Sequence, residues 1–369
     1  MTLHVTPVED RRGLRDFCAL PLRLHPADRY VPVTSDVITR WWRGDGPEAR
    51  HGPVRLYLVH TASGEVVGRT CVHRNAAFDA KRGRRHQLFG LTEFVDDGDV
   101  TDVIFDLIAR QGRDAEALFG PVGLLPNQTG GVITAGFAER GFVDSAWNPA
   151  YYPPAYESHG FLRRFEADTW LCDLTDADPD ALFPFDDGRL EREQLVIRYG
   201  SRRHFDAQLV TLRAMLNVSF AQLGYYTEIS ADELAVQTDG LSYLLDEALL
   251  LWLERAGEPV AFIVTVPDIS EFLMRIRGDL GRLNQLRLLA TRARYRREAV
   301  LIIKGTVPAQ QGKGYLTLLS RELYRNLRAG GYRVLRSTFV ERDNPASAAQ
   351  YRRMGGRPLH GHTFYEKTL

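Results

Sequence analysis

The chain has 369 residues, 44% of them hydrophobic and 25% charged, with a formal net charge of zero. That length suggests about two domains with ample material for a core, and the neutral balance argues against a global field that would steer the chain to nucleic acid or an anionic membrane. Cys18, Cys71 and Cys172 are odd in number and share no paired spacing, which argues against a disulfide framework or a zinc site and for reduced thiols.

Read from its start, MTLHVTPVEDRRGLRD carries charges where a leader needs an apolar run. No apolar stretch approaches the roughly 18–20 residues that span a bilayer, so the expected location is the cytoplasm. Val54 to His60 and Glu65 to Arg74 read as a strand pair turning at Ser63-Gly64. Gln87 to Val95 is a further strand, followed by a helix near Val100 to Gln111, where Val103, Ile104, Leu107 and Ile108 recur at helical spacing. From Gly120-Pro121 to Pro154 the chain is rich in glycine, asparagine and proline and is expected to be loop-dominated. Residues 174–188, with two prolines and many aspartates, read as a linker between a domain at 1–173 and another at 189–369.

Beyond it, Leu195 to Tyr199 reads as a strand and Phe205 to Phe220 as an amphipathic helix. Leu249 to Arg255 and Pro259 to Val266 form a hairpin across Ala256-Gly257-Glu258, Ala299 to Val307 is an almost wholly apolar strand, and Arg333 to Val340 is strand-like. A helix between the last two places Leu316, Leu319, Leu323 and Leu327 on one face. Asn148-Pro149-Ala150 before Gly160-Phe161 is echoed by Asn344-Pro345-Ala346 before Gly355-Gly356, a weak sign of duplication.

The segment VLIIKGTVPAQQGKGYLTLL, Val300 to Leu319, carries the most chemistry. An apolar strand runs through a glycine-containing turn straight into a helix, which points unpaired backbone N–H groups outward at a helix N-terminus. Gly312 and Gly314 remove side chains that would block a phosphate, and Lys313 adds a cation. No Gly-Lys-Ser/Thr closes the loop and the third glycine of the dinucleotide fingerprint is absent. Capture of a pyrophosphate is the implied chemistry.

Here the sequence resembles the GCN5-related N-acetyltransferase (GNAT) superfamily. Its acetyl-CoA loop, Val-x-Pro-x-x-Gln/Arg-Gly-x-Gly, is matched by Val307, Pro308, Gln311, Gly312 and Gly314. Its downstream asparagine, followed after seven residues by tyrosine and after eleven by glycine, is matched by Asn344, Tyr351 and Gly355. The departure is Leu316, where the family usually has Gly or Ala, and it would loosen pyrophosphate binding. GPVGLLPNQTGGVITAGF, NPAYYPPAYESHGF and Asn217 to Leu234 look like signatures of a bacterial tandem-GNAT group of mostly unassigned function. The resemblance implies an α/β fold of two tandem GNAT-like domains, each a mixed sheet flanked by helices. The N-terminal domain reads as degenerate, because Asp96, Asp97 and Asp99 stand where a pyrophosphate would sit.

By the same resemblance, Gly305, Thr306 and Val307 would bind pantetheine and polarise the thioester carbonyl, while Gln311 to Leu316, with Lys313 and Tyr315 among them, would cradle the pyrophosphate. Tyr351 would protonate the leaving thiolate, and Asn344 would bridge the loop and CoA, capping of the next helix being an equal alternative. Glu341 at a strand end and Glu228 in the loop Gly224 to Glu228 are the candidate bases, beside a water relay; Tyr225 and Tyr226 are candidate substrate contacts. His360 and His362 read as exposed strand residues without a third metal ligand, and Arg292 to Arg297 as a solvated basic helix end. Trp147, Tyr151, Tyr152 and Tyr156, with Tyr225 and Tyr226, suggest a ring-bearing partner, although core packing accounts for such clusters more often. The expectation is a metal-free acyltransferase using acetyl-CoA or another short acyl-CoA on a small-molecule amine, without membrane or nucleic-acid partners and with a homodimer allowed. An aminoacyl-tRNA-dependent transferase and a non-catalytic CoA-binding scaffold are the alternatives.

Overall fold

The computed structural model describes residues 2–124, 130–176 and 178–369. The chain divides into two compact units: residues 1–167, 270–285 and 360–369, and residues 168–269 and 286–359. Each unit is therefore assembled from pieces distant in sequence.

In the first unit, β1 (Leu3–Pro7), β2 (Arg55–Thr61), β3 (Val66–His73) and β4 (His86–Phe94) lie side by side and antiparallel. β5 (Ala117–Gly120) then runs parallel to β4, and the helix Gly98–Gln111 crosses between them. The chain's C-terminal residues complete the unit, Tyr365 to Thr368 pairing with β5 and Gly361 to Thr363 with β6 (Val132–Ala135). Period-2 alternation sorts the side chains: Leu56 and Leu58 pack beneath the helix Arg11–Leu24, while Tyr57 and Val59 join Ile104 and Ile108 of the crossing helix.

The second unit repeats this plan. β8 (Leu195–Tyr199), β9 (Leu250–Arg255), β10 (Glu258–Pro267) and β11 (Glu298–Thr306) are antiparallel neighbours, and β12 (Val334–Glu341) lies parallel to β11. Residues 168–173, from β7 (Leu162–Asp173), lie on the far side of β12, and 357–359, from β13 (Arg357–Thr368), also belong to this unit. The β9–β10 hairpin turns through Ala256 at φ 50° and Gly257 at φ 86°, the two left-handed residues that match strand twist. The helix Tyr315–Ala329 buries Leu319, Leu323 and Leu327 against Leu251, Leu253, Ala261 and Ile263, each such side chain worth roughly 1.5–3 kcal/mol when fully buried. On the opposite face Phe262, Val264 and Ile303 meet the helix Phe205–Phe220.

Residues 174–188 pack against the second unit: Phe183 is buried against Tyr324, and Asp187 and Asp180 pair with Arg321 and Arg325. Two of the segment's aspartates are thus matched by arginines of one helix face. One expectation needs correction. His360 and His362 are buried, 0% and 1% exposed, because β13 lies inside the sheet rather than at its edge. Among the described residues no helix is long and apolar enough to cross a membrane.

Candidate active site

The glycine loop has the geometry that an anion cradle requires. Gly312 and Gly314 adopt φ of 78° and 77°, which disfavours any residue with a Cβ. Gly314 is the N-cap of the helix Tyr315–Ala329 and supplies no side chain to its N–H groups. Among the described residues, the N–H groups of Gly312, Lys313 and Gly314 have no backbone acceptor, and a Cβ on Gly312 would meet only open space. Lys313 is exposed and bonds Gln310 at 2.6 Å. Gln311 is exposed too, and its amide reaches back to the Thr306 carbonyl at 3.4 Å.

A second cation flanks the loop that sequence reading missed. Arg189 donates to the Lys313 carbonyl at 3.0 Å and lies over the rings of Phe185 and Tyr315. Glu193 accepts from Arg189 at 2.5 Å and from the Tyr315 hydroxyl at 2.6 Å, and these bonds hold its carboxyl down at about 2. Tyr315 is thereby a buried strut of the loop. Leu316 is half-buried and packs against the apolar cluster beneath its helix.

Upstream, β11 parts from its parallel neighbour. The β11–β12 ladder ends at Leu301 and Ser337, although β11 continues to Thr306 and β12 to Glu341. A register slip between Val264 and Thr265 inserts an extra residue, Ile302, opposite β10, and such bulges sharpen local twist. The Thr338 hydroxyl donates to the Ile302 carbonyl at 2.6 Å where the strands diverge. Gly305 lies close-packed in the diverging stretch, where a Cβ would come 3.0 Å from the Phe262 ring and 3.2 Å from Ser219. Thr306 is buried and Val307 half-buried, its N–H bonded to the Val260 carbonyl at 3.0 Å. The two strands thus part just ahead of the loop.

Tyr351 lies on the helix Pro345–Arg353. It is 1% exposed and stacks on Trp170 at 5.7 Å, and its phenol faces the Ser337 hydroxyl. Burial raises the phenol above its ordinary range, more than Ser337 lowers it, so Tyr351 keeps its proton at neutral pH. Lys304, a residue not singled out from the sequence, bonds Gln350 at 2.5 Å, and burial lowers its ammonium to about 8.

Glu341 ends β12 half-buried, with Oε1 lacking a hydrogen-bond partner among the described residues. Burial raises its carboxyl, against a hydrogen bond from Tyr225 that lowers it. The structure thus joins Glu341 and Tyr225. Glu228 is exposed to solvent. Tyr226 belongs to the core, its hydroxyl donating to Asn217 at 2.7 Å. Asn344 caps the helix Pro345–Arg353 by accepting from Ser347 N–H at 3.2 Å, the capping alternative.

Among the described residues, the first unit shows no such cradle. The Asp97 carboxylate occupies its helix N-terminus, accepting from the N–H groups of Asp99 and Val100, so the donors a phosphate needs are already used. Val122 N–H bonds the Phe89 carbonyl at 2.8 Å beyond the β4–β5 ladder. Tyr152 and Tyr156 are core residues of this unit, with Tyr151 packed against them, and Trp147 is buried in a neighbouring cluster. Residues 125–129, inside the signature that begins at Gly120, lie outside the described residues. Among the described residues no group of three or more His, Cys, Asp or Glu is placed to hold a metal ion.

No family model matches the chain. It is 24% identical over 385 residues to the bacterial ceramide synthase of Caulobacter vibrioides (strain NA1000 / CB15N), covering 100% of this chain and 98% of that protein. It is also 24% identical over 284 residues to protein YghO of Escherichia coli (strain K12), covering 76% of this chain and 72% of that one. Among solved structures, a tandem GNAT protein from the clavulanic acid biosynthesis pathway matches with a TM-score of 0.58 at 12% identity, over 100% of this chain and 98% of that one. A GCN5-related N-acetyltransferase from Sphaerobacter thermophilus matches with a TM-score of 0.55 at 13% identity, over 99% and 95%. The chain has the tandem GNAT fold.

Proposed function

We propose that this tandem GNAT-fold chain is an N-acyltransferase that takes an acyl group from acyl-CoA, bound at one site in the second unit, and passes it to a primary amine. The observation that carries this reading is the glycine cradle at the N-terminus of the helix Tyr315–Ala329, reached directly from β11 where that strand has parted from β12. A pyrophosphate fits the unpaired N–H groups, with Lys313 and Arg189 beside them. When bound, acyl-CoA supplies the thioester carbon. The acyl carbon exchanges its bond to sulfur for a bond to the amine nitrogen, giving an amide and a free thiol.

Glu341 takes the proton the amine must lose, its raised pKa bringing it nearer to neutrality and to the range of an effective base. Tyr351 Oη holds the proton the leaving sulfur must gain, with Ser337 orienting it. The relative named a ceramide synthase supports the same bond type, since a ceramide is the amide of a long-chain amino alcohol. An amine of that class is the acceptor we favour; acetyl and longer acyl groups are both candidates for the donor.

The test is calorimetric titration of acetyl-CoA and a long-chain acyl-CoA into the wild-type chain and Gly314→Glu, whose carboxylate repels pyrophosphate at a left-handed position. Mass spectrometry then looks for amide with ethanolamine and with a long-chain 2-amino-1,3-diol. Binding of one acyl-CoA per chain, lost in the variant, together with amide formation supports the assignment. Binding without amide leaves a CoA-binding scaffold, and absence of binding by any acyl-CoA rejects the proposal.

A further inference from the structure

A cavity of about 350 Å³ opens inside the first unit, a volume within the range of small-molecule sites. The helix Arg11–Leu24 forms one wall with Leu14 and Cys18, Val33 and Ile38 add apolar surface, and Tyr30 contributes its ring together with a hydroxyl that hydrogen-bonds Arg69. Three cations join this lining, Arg15, Arg69 and Arg277, and no carboxylate does.

Arg69 is the informative member. It is 1% exposed, yet its Nε has no hydrogen-bond partner among the described residues. One guanidinium nitrogen donates to the Phe17 carbonyl at 2.7 Å, and another stands 3.6 Å from Glu93. That carboxylate is shared with His25 at 2.7 Å and with the Tyr152 hydroxyl at 2.8 Å. A buried N–H left without an acceptor costs about 1–3 kcal/mol, so a ligand oxygen there would remove a standing penalty. At the rim, Arg277 is exposed in a left-handed conformation at φ 53°, and neither it nor Arg15 has a carboxylate partner among the described residues.

We propose that this cavity binds a single-chain anionic amphiphile, its carboxylate or phosphate head on Arg69 and Arg277 and its alkyl chain along Leu14, Tyr30, Val33 and Ile38. The site is independent of acyl-CoA capture in the second unit. It gives the first unit, whose phosphate cradle is filled by Asp97, a ligand of its own.

Cys18 reports on occupancy, because it is half-buried in the cavity wall while Cys71 and Cys172 are buried in the core. The experiment measures iodoacetamide alkylation of Cys18 by peptide mass mapping in the full chain, with laurate, dodecyl phosphate or dodecylamine, each below its micellar concentration. Laurate or dodecyl phosphate should slow alkylation about tenfold, and dodecylamine should not; the better of the two anions identifies the head group. Arg277→Asn removes the rim cation with a residue that tolerates the left-handed backbone. It should abolish most of the protection while leaving the unprotected alkylation rate unchanged. No slowing by either anion, equal slowing by the amine, or full protection in Arg277→Asn overturns the proposal.

Discussion

Lys304 holds its ammonium 4.4 Å from the centroid of the Tyr351 ring. The lysine leaves β11 just past the last pair of the β11–β12 ladder, and the tyrosine lies on the helix Pro345–Arg353. A cation over a phenol's face favours the tyrosinate that forms when Tyr351 gives up its proton. Lys304 is thus a positioning and electrostatic partner of the proposed acid. Its ammonium titrates at about 8, so the cation is present at neutral pH and lost as pH rises through that value. Lys304→Met should lower kcat about tenfold with little change in KM, and should remove an alkaline limb near pH 8 from the wild-type profile. Lys304→Arg should retain the rate and move the limb beyond reach. An unchanged profile in Lys304→Met would show that the lysine only packs.

Glu341 is expected to act through its charge. Glu341→Gln keeps the shape and the contact with Tyr225 but cannot accept the amine's proton, so kcat should fall about 10²-fold while acyl-CoA affinity stays the same. The folded-state pKa is raised, so the folded state binds the proton more tightly than the unfolded state. Its stabilising contribution is present below the unfolded value, about 4.3, and lost as pH rises through the folded one. Glu341→Gln should therefore melt higher than wild type at pH 7, with the difference vanishing near pH 4. A variant as active as wild type would leave Glu228 or a water relay as the base.

Arg189 tests the cradle without touching a glycine. Its removal deletes a cation whose guanidinium lies 4.0 Å from the Cβ position of Gly314 and, with it, the bond to the Lys313 carbonyl. Arg189→Ala should weaken acyl-CoA binding about tenfold at low salt, with the deficit shrinking as salt screens the wild-type attraction. Titration at two ionic strengths measures this. A deficit equal at both would mean that Arg189 only braces the Lys313 carbonyl.

Much of this architecture is legible where the cause is local. The loop glycines must be glycine because the backbone there is left-handed, and the strand and helix that flank them announce themselves by apolar runs and leucine spacing. Phe205–Phe220 and the β9–β10 hairpin follow from the same local rules. What escapes is set by partners far along the chain. Arg189 gains its meaning from Lys313, and Lys304 from Tyr351. The histidines of β13 looked exposed because no local pattern reveals that this strand lies inside a sheet. Residues 270–285 belong to the first unit through packing such as the Ser35 N–H bond to the Gly278 carbonyl at 3.0 Å, which nothing in their own composition signals.

Glu366, on that same strand, supplies a test of stability in the first unit. Its carboxylate is 2% exposed and meets Arg84 at 2.5 Å, Arg164 at 2.8 Å, Arg82 at 3.2 Å and His86 at 3.5 Å. Burial alone would raise its pKa, but the neighbouring His86, Arg164 and Arg84 bring it well below the usual carboxylate range. A depressed folded pKa means that the group stabilises the fold above its unfolded value, about 4.3, and progressively less as pH falls through the folded one. Glu366→Gln leaves three guanidinium groups around a neutral amide and should cost about 3–5 kcal/mol at pH 7, the usual penalty for breaking a buried ion pair on one side. Urea denaturation at pH 7 and pH 3 measures it: the gap between wild type and variant should narrow at pH 3. A gap that stays the same would assign the loss to packing, and a variant as stable as wild type at pH 7 would show that the arginines are satisfied without Glu366.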